Sequence, residues 1–193
     1  MGRAKIFEEN AALGKAMRLF WRQGYANTSI KQLLNEMDML NGSFYHSFKD
    51  KKTVYLKALE HYNQEITSKR QTELLAHDDF SKGIRAFFDE IYNTLESPNE
   101  PAGCLIVNSM VDEVLNEEKL KEFLYDNVEA YVQLLTKRIQ HSIDLKLTKT
   151  ELTAQQMAYI LFTYIQGLFR VSKTLKLKQL KSQTEDFLHA LNL

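Results

Sequence analysis

The sequence predicts an all-α protein. Only 7 glycines and 2 prolines occur in 193 residues, a composition that favours helices over turns and strands. Apolar residues recur at three- and four-residue spacing along most of the chain, and no alternating pattern typical of a β-strand interrupts them. Hydrophobic residues make up 44% and charged residues 26%, so the chain can bury a sizeable core.

The first third of the chain predicts three short helices. Residues 5–22 carry a helical apolar pattern that ends at Gly24, because glycine adopts the left-handed C-cap conformation cheaply. Thr28 or Ser29 can cap the second helix. The third contains the stretch "NGSFYHSF" from Asn41 and follows the second after a tight turn. Two helices joined in this way form a helix-turn-helix pattern.

Longer helices follow. One begins at its N-cap, Asp50, and runs to about Ala76, and another restarts at Asp78 and Asp79. Residues 97–103 contain both prolines and form the clearest loop. The remaining predicted helices lie near residues 105–115, 117–146, 153–174 and 177–190.

The third helix separates buried from exposed residues. Phe44 and Phe48 lie four apart and can share a buried face, which leaves the polar residues on exposed sides. Those polar residues offer amide, hydroxyl and imidazole groups of the kind that reach phosphates and base edges in a major groove. They are Asn41, Ser43, Tyr45, His46 and Ser47, flanked by Lys49, Lys51 and Lys52.

Charge is unevenly distributed although the net charge is zero. Residues 1–60 carry ten Lys and Arg against six Asp and Glu, whereas residues 61–193 carry fifteen against nineteen. A basic module joined to an acidic remainder is typical of a nucleic-acid-binding domain attached to a domain of another kind. Chance fluctuation on solvated helix faces is the alternative.

Two stretches together resemble the TetR family of bacterial transcriptional regulators. They are "AMRLFWRQGYANTSIKQLL" and "GSFYHSFKDK", with their LF, GY and TS pairs and the Gly-x-Phe-Tyr-x-x-Phe spacing before a lysine. The resemblance covers about 50 residues. It implies a helix-turn-helix DNA-binding domain at residues 1–50 and a helical ligand-binding and dimerisation domain of about six helices at residues 51–193.

The resemblance also implies DNA-contacting residues. Thr28 or Ser29, with Lys31, would meet the phosphate backbone. Tyr45 and Lys51 would hold phosphates on the other side. The residues facing the bases would be Asn41, Ser43 and His46.

The turn departs from the family pattern. The usual Gly-Val-Ser reads Asp38-Met39-Leu40. Asp tolerates positive φ, so the turn can form, but Leu40 cannot cap the third helix. We therefore expect that Asn41 could cap it one residue later, at the cost of its base-reading amide.

The stretch "AYILFTYIQGLFRVSK" is apolar around much of a helix, which indicates either an interface or a buried central helix. Gly167 would allow a partner to approach closely. The resemblance implies that the last two helices pair with a second subunit. A dimer would place two recognition helices on half-sites about 34 Å apart.

A ring-rich effector pocket is expected among the middle helices, although ordinary core is an alternative for most of its residues. They are Phe88, Tyr92, Cys104, Met110, Tyr131, Phe162 and Gln166. The effector would be largely apolar or aromatic. Cys104, the single cysteine, is hypothesised to sense oxidants or electrophiles at a helix start; the alternative is a small buried hydrophobe.

The sequence thus predicts a homodimeric repressor, released from a palindromic operator when a small molecule binds. The alternatives are a transcriptional activator and a ligand-binding protein with a non-functional helix-turn-helix.

Neither Glu-x-x-His nor Gly-x-Ser-x-Gly occurs, so no enzyme, metal or cofactor is expected. Without a signal segment or a membrane span, the expected location is the cytoplasm. The effector, operator and target genes are not encoded in these patterns.

Overall fold

The computed structural model describes the backbone of residues 2–110 and 116–193, and side chains from residue 9 onward within these ranges. This part of the chain contains α-helices and no strand, which confirms the predicted all-α class. The helices are α1 (Gly2–Gln23), α2 (Ile30–Glu36), α3 (Asn41–Phe48), α4 (Lys51–Tyr62), α5 (Ser68–Leu75), α6 (Phe80–Glu96), α7 (Leu105–Ser109), α8 (Glu118–Asp144), α9 (Ala154–Val171) and α10 (Leu177–Ala190).

Two predicted helices differ in detail. The helix predicted from Asp50 to about Ala76 is present as α4 and α5, joined by a π-helical turn at Asn63–Thr67. The helix predicted near residues 105–115 is described only as α7, because residues 111–115 lie outside the described ranges.

Local signals in the sequence fix several helix ends. Gly24 adopts φ 82° after α1, and its amide donates to the Phe20 carbonyl. Ser29 is the N-cap of α2 and forms a reciprocal capping box with Gln32. Asp50 is the N-cap of α4. These caps confirm the predicted starts of α2 and α4, and Ser29 rather than Thr28 is the capping residue.

The chain divides into two compact units. The first combines Met1–Thr67 with Cys104–Lys121, and the second combines Ser68–Gly103 with Glu122–Leu193. The predicted boundary between residues 50 and 51 lies inside the first compact unit, and a functional division there stays a prediction.

Aromatic contacts between α1 and α4 form the core of the first unit. The rings of Phe20 and Tyr55 lie 4.7 Å apart in an edge-to-face arrangement, and those of Trp21 and Tyr62 lie 4.9 Å apart. Tyr25 packs on Tyr55 at 4.8 Å. Such pairs contribute about 0.5–1.5 kcal/mol each beyond the burial of their area.

Two tyrosine hydroxyls join α4 to α7 in the same unit. The Tyr55 hydroxyl hydrogen-bonds the Ser109 hydroxyl at 2.5 Å, and the Tyr62 hydroxyl donates to the Cys104 Sγ at 3.2 Å. Buried tyrosine hydroxyls require such partners, so these bonds specify where α7 packs.

The second unit holds α9 against α10 by stacking. The rings of Tyr164 and Phe187 are nearly parallel, with centroids 3.7 Å apart. The Tyr164 and Thr184 hydroxyls hydrogen-bond at 2.9 Å. Elsewhere in the unit, the Phe80 amide at the start of α6 donates to the Ser142 hydroxyl of α8 at 3.0 Å.

A glycine permits the close approach of α5 and α6. A Cβ on Gly83 would lie 2.7 Å from the Leu74 carbonyl oxygen, a backbone atom that cannot move aside without shifting the helix. Gly42 of α3 offers a contrast, because a Cβ there meets nothing within 4 Å.

We predict that Gly83→Ala lowers the free energy of unfolding by about 1–3 kcal/mol, because the new methyl group overpacks the α5–α6 contact. Gly42→Ala is the matched control and should be neutral or slightly stabilising, since alanine is the better helix former. Urea denaturation followed by circular dichroism measures both. Equal stability of the two variants would contradict the tight α5–α6 contact.

Candidate nucleic-acid interface

The turn between α2 and α3 is closed by an aspartate in the left-handed region. Asp38 has φ 54°, as its tolerance for positive φ allows. Its carboxylate forms an ion pair with Lys15 of α1. The expectation that Asn41 caps α3 is wrong, because α3 begins at Asn41 and Leu40 is the N-cap residue without a side-chain cap bond. The Asn41 amide is therefore not used as a cap.

Helix α3 separates apolar from polar residues as predicted. Phe44 and Phe48 are fully buried, with ring centroids 5.7 Å apart, which confirms them as core residues. Tyr45 is 47% exposed, and its ring packs edge-on against Phe44 at 5.4 Å. The other residues assigned to DNA on this helix, Asn41, Ser43 and His46, are exposed.

The residues assigned to DNA near the start of α2 divide differently. Ser29 and Lys31 are exposed. Thr28 departs from the prediction, because its side chain is 1% exposed and its hydroxyl donates to the Gly24 carbonyl at 2.7 Å. The Gln23 amide also donates to that hydroxyl. Thr28 therefore stabilises the turn after α1 instead of offering its hydroxyl to a phosphate.

Two residues separate α3 from α4, whose N-terminus carries two lysines in different environments. Lys51 places its Nζ 4.1 Å from the centroid of the Tyr25 ring, within the range of a cation–π interaction. Lys52 forms an ion pair with Glu117, which raises the pKa of that lysine. Sequence reasoning gave Tyr25 no role, although the Gly-Tyr pair drew attention to it.

Further basic residues near this surface also differ in their partners. Within the described residues, neither Lys31 nor Lys49 has a carboxylate partner. Arg22 is paired with Glu36 at 2.6 Å. Lys31 and Lys49 are thus two exposed cations of this region that form no ion pair with a described carboxylate.

The residues predicted to line an effector pocket fall in both units. Phe88, Tyr92, Tyr131, Phe162 and Gln166 belong to the second unit. Cys104 and Met110 belong to the first, where Cys104 is buried as the N-cap of α7 and Met110 is its C-cap.

Four of the five residues in the second unit form ring contacts, and the fifth, Gln166, adds an amide group. Phe88 stacks with Tyr92 at 6.5 Å, and Tyr131 lies 6.0 Å from Phe162. Burial raises the pKa of Tyr92 from its ordinary value of 10.0 to about 12. The Gln166 Oε1 is buried without a hydrogen-bond partner among the described residues.

One face of α9 is exposed in the single chain. Tyr159 is 48% exposed, Ile160 38% and Val171 39%, and a Cβ added to Gly167 would meet nothing within 4 Å. The opposite face is buried in the second unit. The sequence left open an interface or a buried central helix; α9 has one buried face and one exposed face, and an interface on the exposed face stays a prediction.

Two family models match this architecture. Residues 12–58 match the bacterial regulatory proteins of the tetR family, and residues 82–187 match the tetracyclin repressor-like C-terminal domain. The chain belongs to the TetR family. The resemblance stated from the sequence is therefore confirmed.

Individual relatives of this TetR-family chain include two curated regulators. It is 31% identical over 109 residues to the HTH-type transcriptional repressor ComR of Escherichia coli, covering 56% of this chain and 52% of ComR. It is 28% identical over 123 residues to the HTH-type transcriptional regulator YezE of Bacillus subtilis, covering 64% of this chain and 63% of YezE. The match therefore spans about half to just under two thirds of these relatives.

A solved structure shares the fold. The TetR-family transcriptional regulator CifR, a cysteine mutant complexed with 26-bp double-strand operator DNA, superposes with a TM-score of 0.86. The match covers 94% of this chain and 95% of CifR at 23% identity. At that identity the likeness demonstrates the fold.

The described residues were also inspected for other kinds of site. They contain no group of three or more His, Cys, Asp and Glu side chains arranged to hold a metal ion. No helix among them combines the length and apolar character needed to cross a bilayer. The matched family is one of bacterial regulatory proteins.

The cap at the start of α4 generates a pH-dependent prediction. The Thr53 amide donates to the Asp50 carboxylate at 2.7 Å, and this bond lowers the pKa of Asp50. A lowered folded-state pKa means that the stabilisation is present above the unfolded pKa of about 3.9 and is lost as the pH falls through the folded value.

We predict that Asp50→Ala lowers the free energy of unfolding by about 1 kcal/mol at pH 7, because α4 loses its cap. The deficit should shrink as the pH falls below about 4. Asp50→Asn is the control, since it keeps the capping oxygen but does not titrate and should stay near wild type at pH 7. Urea denaturation at pH 7 and pH 3 measures both, and a deficit that is constant with pH would contradict the carboxylate cap.

Proposed function

We propose that this TetR-family chain is a homodimeric transcriptional repressor that binds a palindromic operator and is released when a small molecule binds. The proposal rests mainly on α3. Its two phenylalanines are buried, whereas Asn41, Ser43 and His46 of the same helix are exposed. A helix held in this way presents polar groups at fixed positions for a major groove.

Each exposed group has a chemical role in this proposal. The Asn41 amide can pair with adenine N6 and N7, and the Ser43 and His46 side chains can hydrogen-bond other base edges. Ser29, Lys31, Tyr45 and Lys51 would hold the phosphates on either side, which sets orientation and adds affinity independent of sequence.

A non-functional helix-turn-helix is the competing reading, and the altered turn was its support. The geometry argues against it, because Asp38 closes the turn at positive φ and Lys15 pairs with it. The loss of the serine cap also leaves α3 starting at Asn41. Whether a bound dimer represses or activates depends on operator position, and the repressor relative ComR favours repression.

The exposed face of α9 supports dimerisation. Tyr159, Ile160 and Val171 would be covered by the same helices of a second copy, with Gly167 allowing close approach. Two chains would then read two half-sites about 34 Å apart, and each recognition helix gains affinity from the other.

The effector would bind among the ring-rich residues of the second unit. Phe88, Tyr92, Tyr131 and Phe162 supply apolar walls, while the Tyr92 hydroxyl and Gln166 Oε1 supply a donor and an acceptor. Binding would favour a dimer geometry in which the two recognition helices no longer match successive major grooves.

A thiol-sensing role for Cys104 stays a separate hypothesis. Because Cys104 is buried at the start of a five-residue helix, the alternative of a small hydrophobe has the stronger support.

The first test is fluorescence anisotropy with DNA from upstream of the gene and with a shuffled duplex, at about 0.15 M salt. We expect tight binding to the native duplex alone. Tyr45→Ala should weaken it about tenfold or more, because a phosphate contact through a charge-assisted hydrogen bond is lost. Tyr125→Ala, an exposed tyrosine of α8, is the matched control and should bind like wild type.

Equal weak binding to every duplex, including the duplexes enriched by the wild-type chain from a random pool, would contradict the repressor proposal. The non-functional helix-turn-helix would then be the better account.

Ile160→Asp tests the proposed dimer. The new carboxylate would be buried without a partner in the interface, so we expect the variant to sediment as a monomer at micromolar concentration. Leu145→Asp is the control, since that leucine is 49% exposed outside the helices and should leave the dimer intact. Sedimentation equilibrium measures the mass of both variants. A dimeric Ile160→Asp variant would contradict the proposed interface on α9.

A further inference from the structure

Leu40 is the most exposed large apolar side chain among the described residues, at 81%. Single exposed leucines are common, but this one stands at the N-cap of α3. A serine, threonine, aspartate or asparagine there would stabilise the helix by accepting a hydrogen bond from a backbone amide of its first turn. The chain therefore combines an exposed apolar group with an uncapped helix at one position, and such local conflicts are typical of functional sites.

The surroundings of Leu40 leave its side chain open to a large partner. Leu40 borders two surface grooves of the first unit, one shared with Lys15, Met37 and Ser43 and the other with Lys31. The next residues, Asn41 and Gly42, are exposed, and a Cβ on Gly42 would meet nothing within 4 Å. The described residues leave Leu40 largely uncovered.

The N-terminal residues of a recognition helix contact base edges at the floor of the major groove. That surface is polar except for one group, the C5 methyl of thymine. A leucine pressed against polar base edges would desolvate their donors and acceptors without replacing the lost hydrogen bonds. Packing on a methyl group instead removes apolar surface from water on both sides.

We propose that Leu40 is a specificity-determining residue that packs against the C5 methyl of one thymine in each operator half-site. This inference rests on the proposed DNA-binding function. Asn41, the next residue, suits the adenine N6 and N7 pattern, so the first turn of α3 as a whole favours A·T pairs.

The test begins with operator selection. The wild-type chain enriches duplexes from a random library, and the consensus is rebuilt with each thymine replaced in turn by deoxyuridine, which removes only the methyl group. We expect one position per half-site at which the change weakens wild-type binding about fourfold, and about 15-fold when both half-sites are changed.

Leu40→Ser should abolish this discrimination and bind thymine and uracil duplexes equally. The serine restores a capping residue, so thermal unfolding should show unchanged or higher stability and rule out misfolding. Leu75→Ser is the matched control, because Leu75 is 50% exposed on α5 and its loss should leave the discrimination intact.

A last arm separates thymine from the other pyrimidine that carries a C5 methyl. At the sensitive position a 5-methylcytosine·guanine pair should bind wild type better than a cytosine·guanine pair, although both lack the adenine. Equal binding of thymine and uracil duplexes at every position, or discrimination that survives Leu40→Ser, would overturn the inference. Failure to enrich any consensus would instead reject the proposed function.

Discussion

The packing of α1 against α4 is the contact on which the first unit depends. Phe20, Tyr25 and Tyr55 interlock on one side, and Trp21 meets Tyr62 on the other. The contacts between the two segments join residues 30 or more positions apart, and α2 and α3 lie between these segments in the sequence. The Tyr25 ring also lies beneath the Lys51 ammonium. The core cluster therefore positions one of the charges proposed to meet DNA.

The three helices α2, α3 and α4 of the proposed DNA-binding surface differ in how their N-termini are stabilised. Ser29 caps α2 and Asp50 caps α4, whereas α3 between them has no side-chain cap. Helix α3 is held instead by the burial of Phe44 and Phe48 in the core. This arrangement fixes the helix through its buried face and leaves the composition of its first turn free to serve recognition.

In the second unit, packing buries one face of α9 and leaves the other face exposed. The Tyr164–Phe187 stack, with the Tyr164–Thr184 hydrogen bond, holds α9 to α10 and determines which side of α9 is covered. The apolar residues left outside, Tyr159 and Ile160 among them, are exposed, as the proposed dimer requires. Burial within the unit also raises the pKa of Tyr92 to about 12.

The sequence by itself determined the helical class, most helix ends and the buried pair Phe44 and Phe48. Capping, glycine conformation and apolar periodicity are local properties, and each is encoded within a few residues. Only the tertiary structure decided that Thr28 is buried, that Lys51 lies over Tyr25 and that Lys52 pairs with Glu117. These outcomes depend on which distant segments pack together, and no local pattern specifies the side-chain environment that such packing creates.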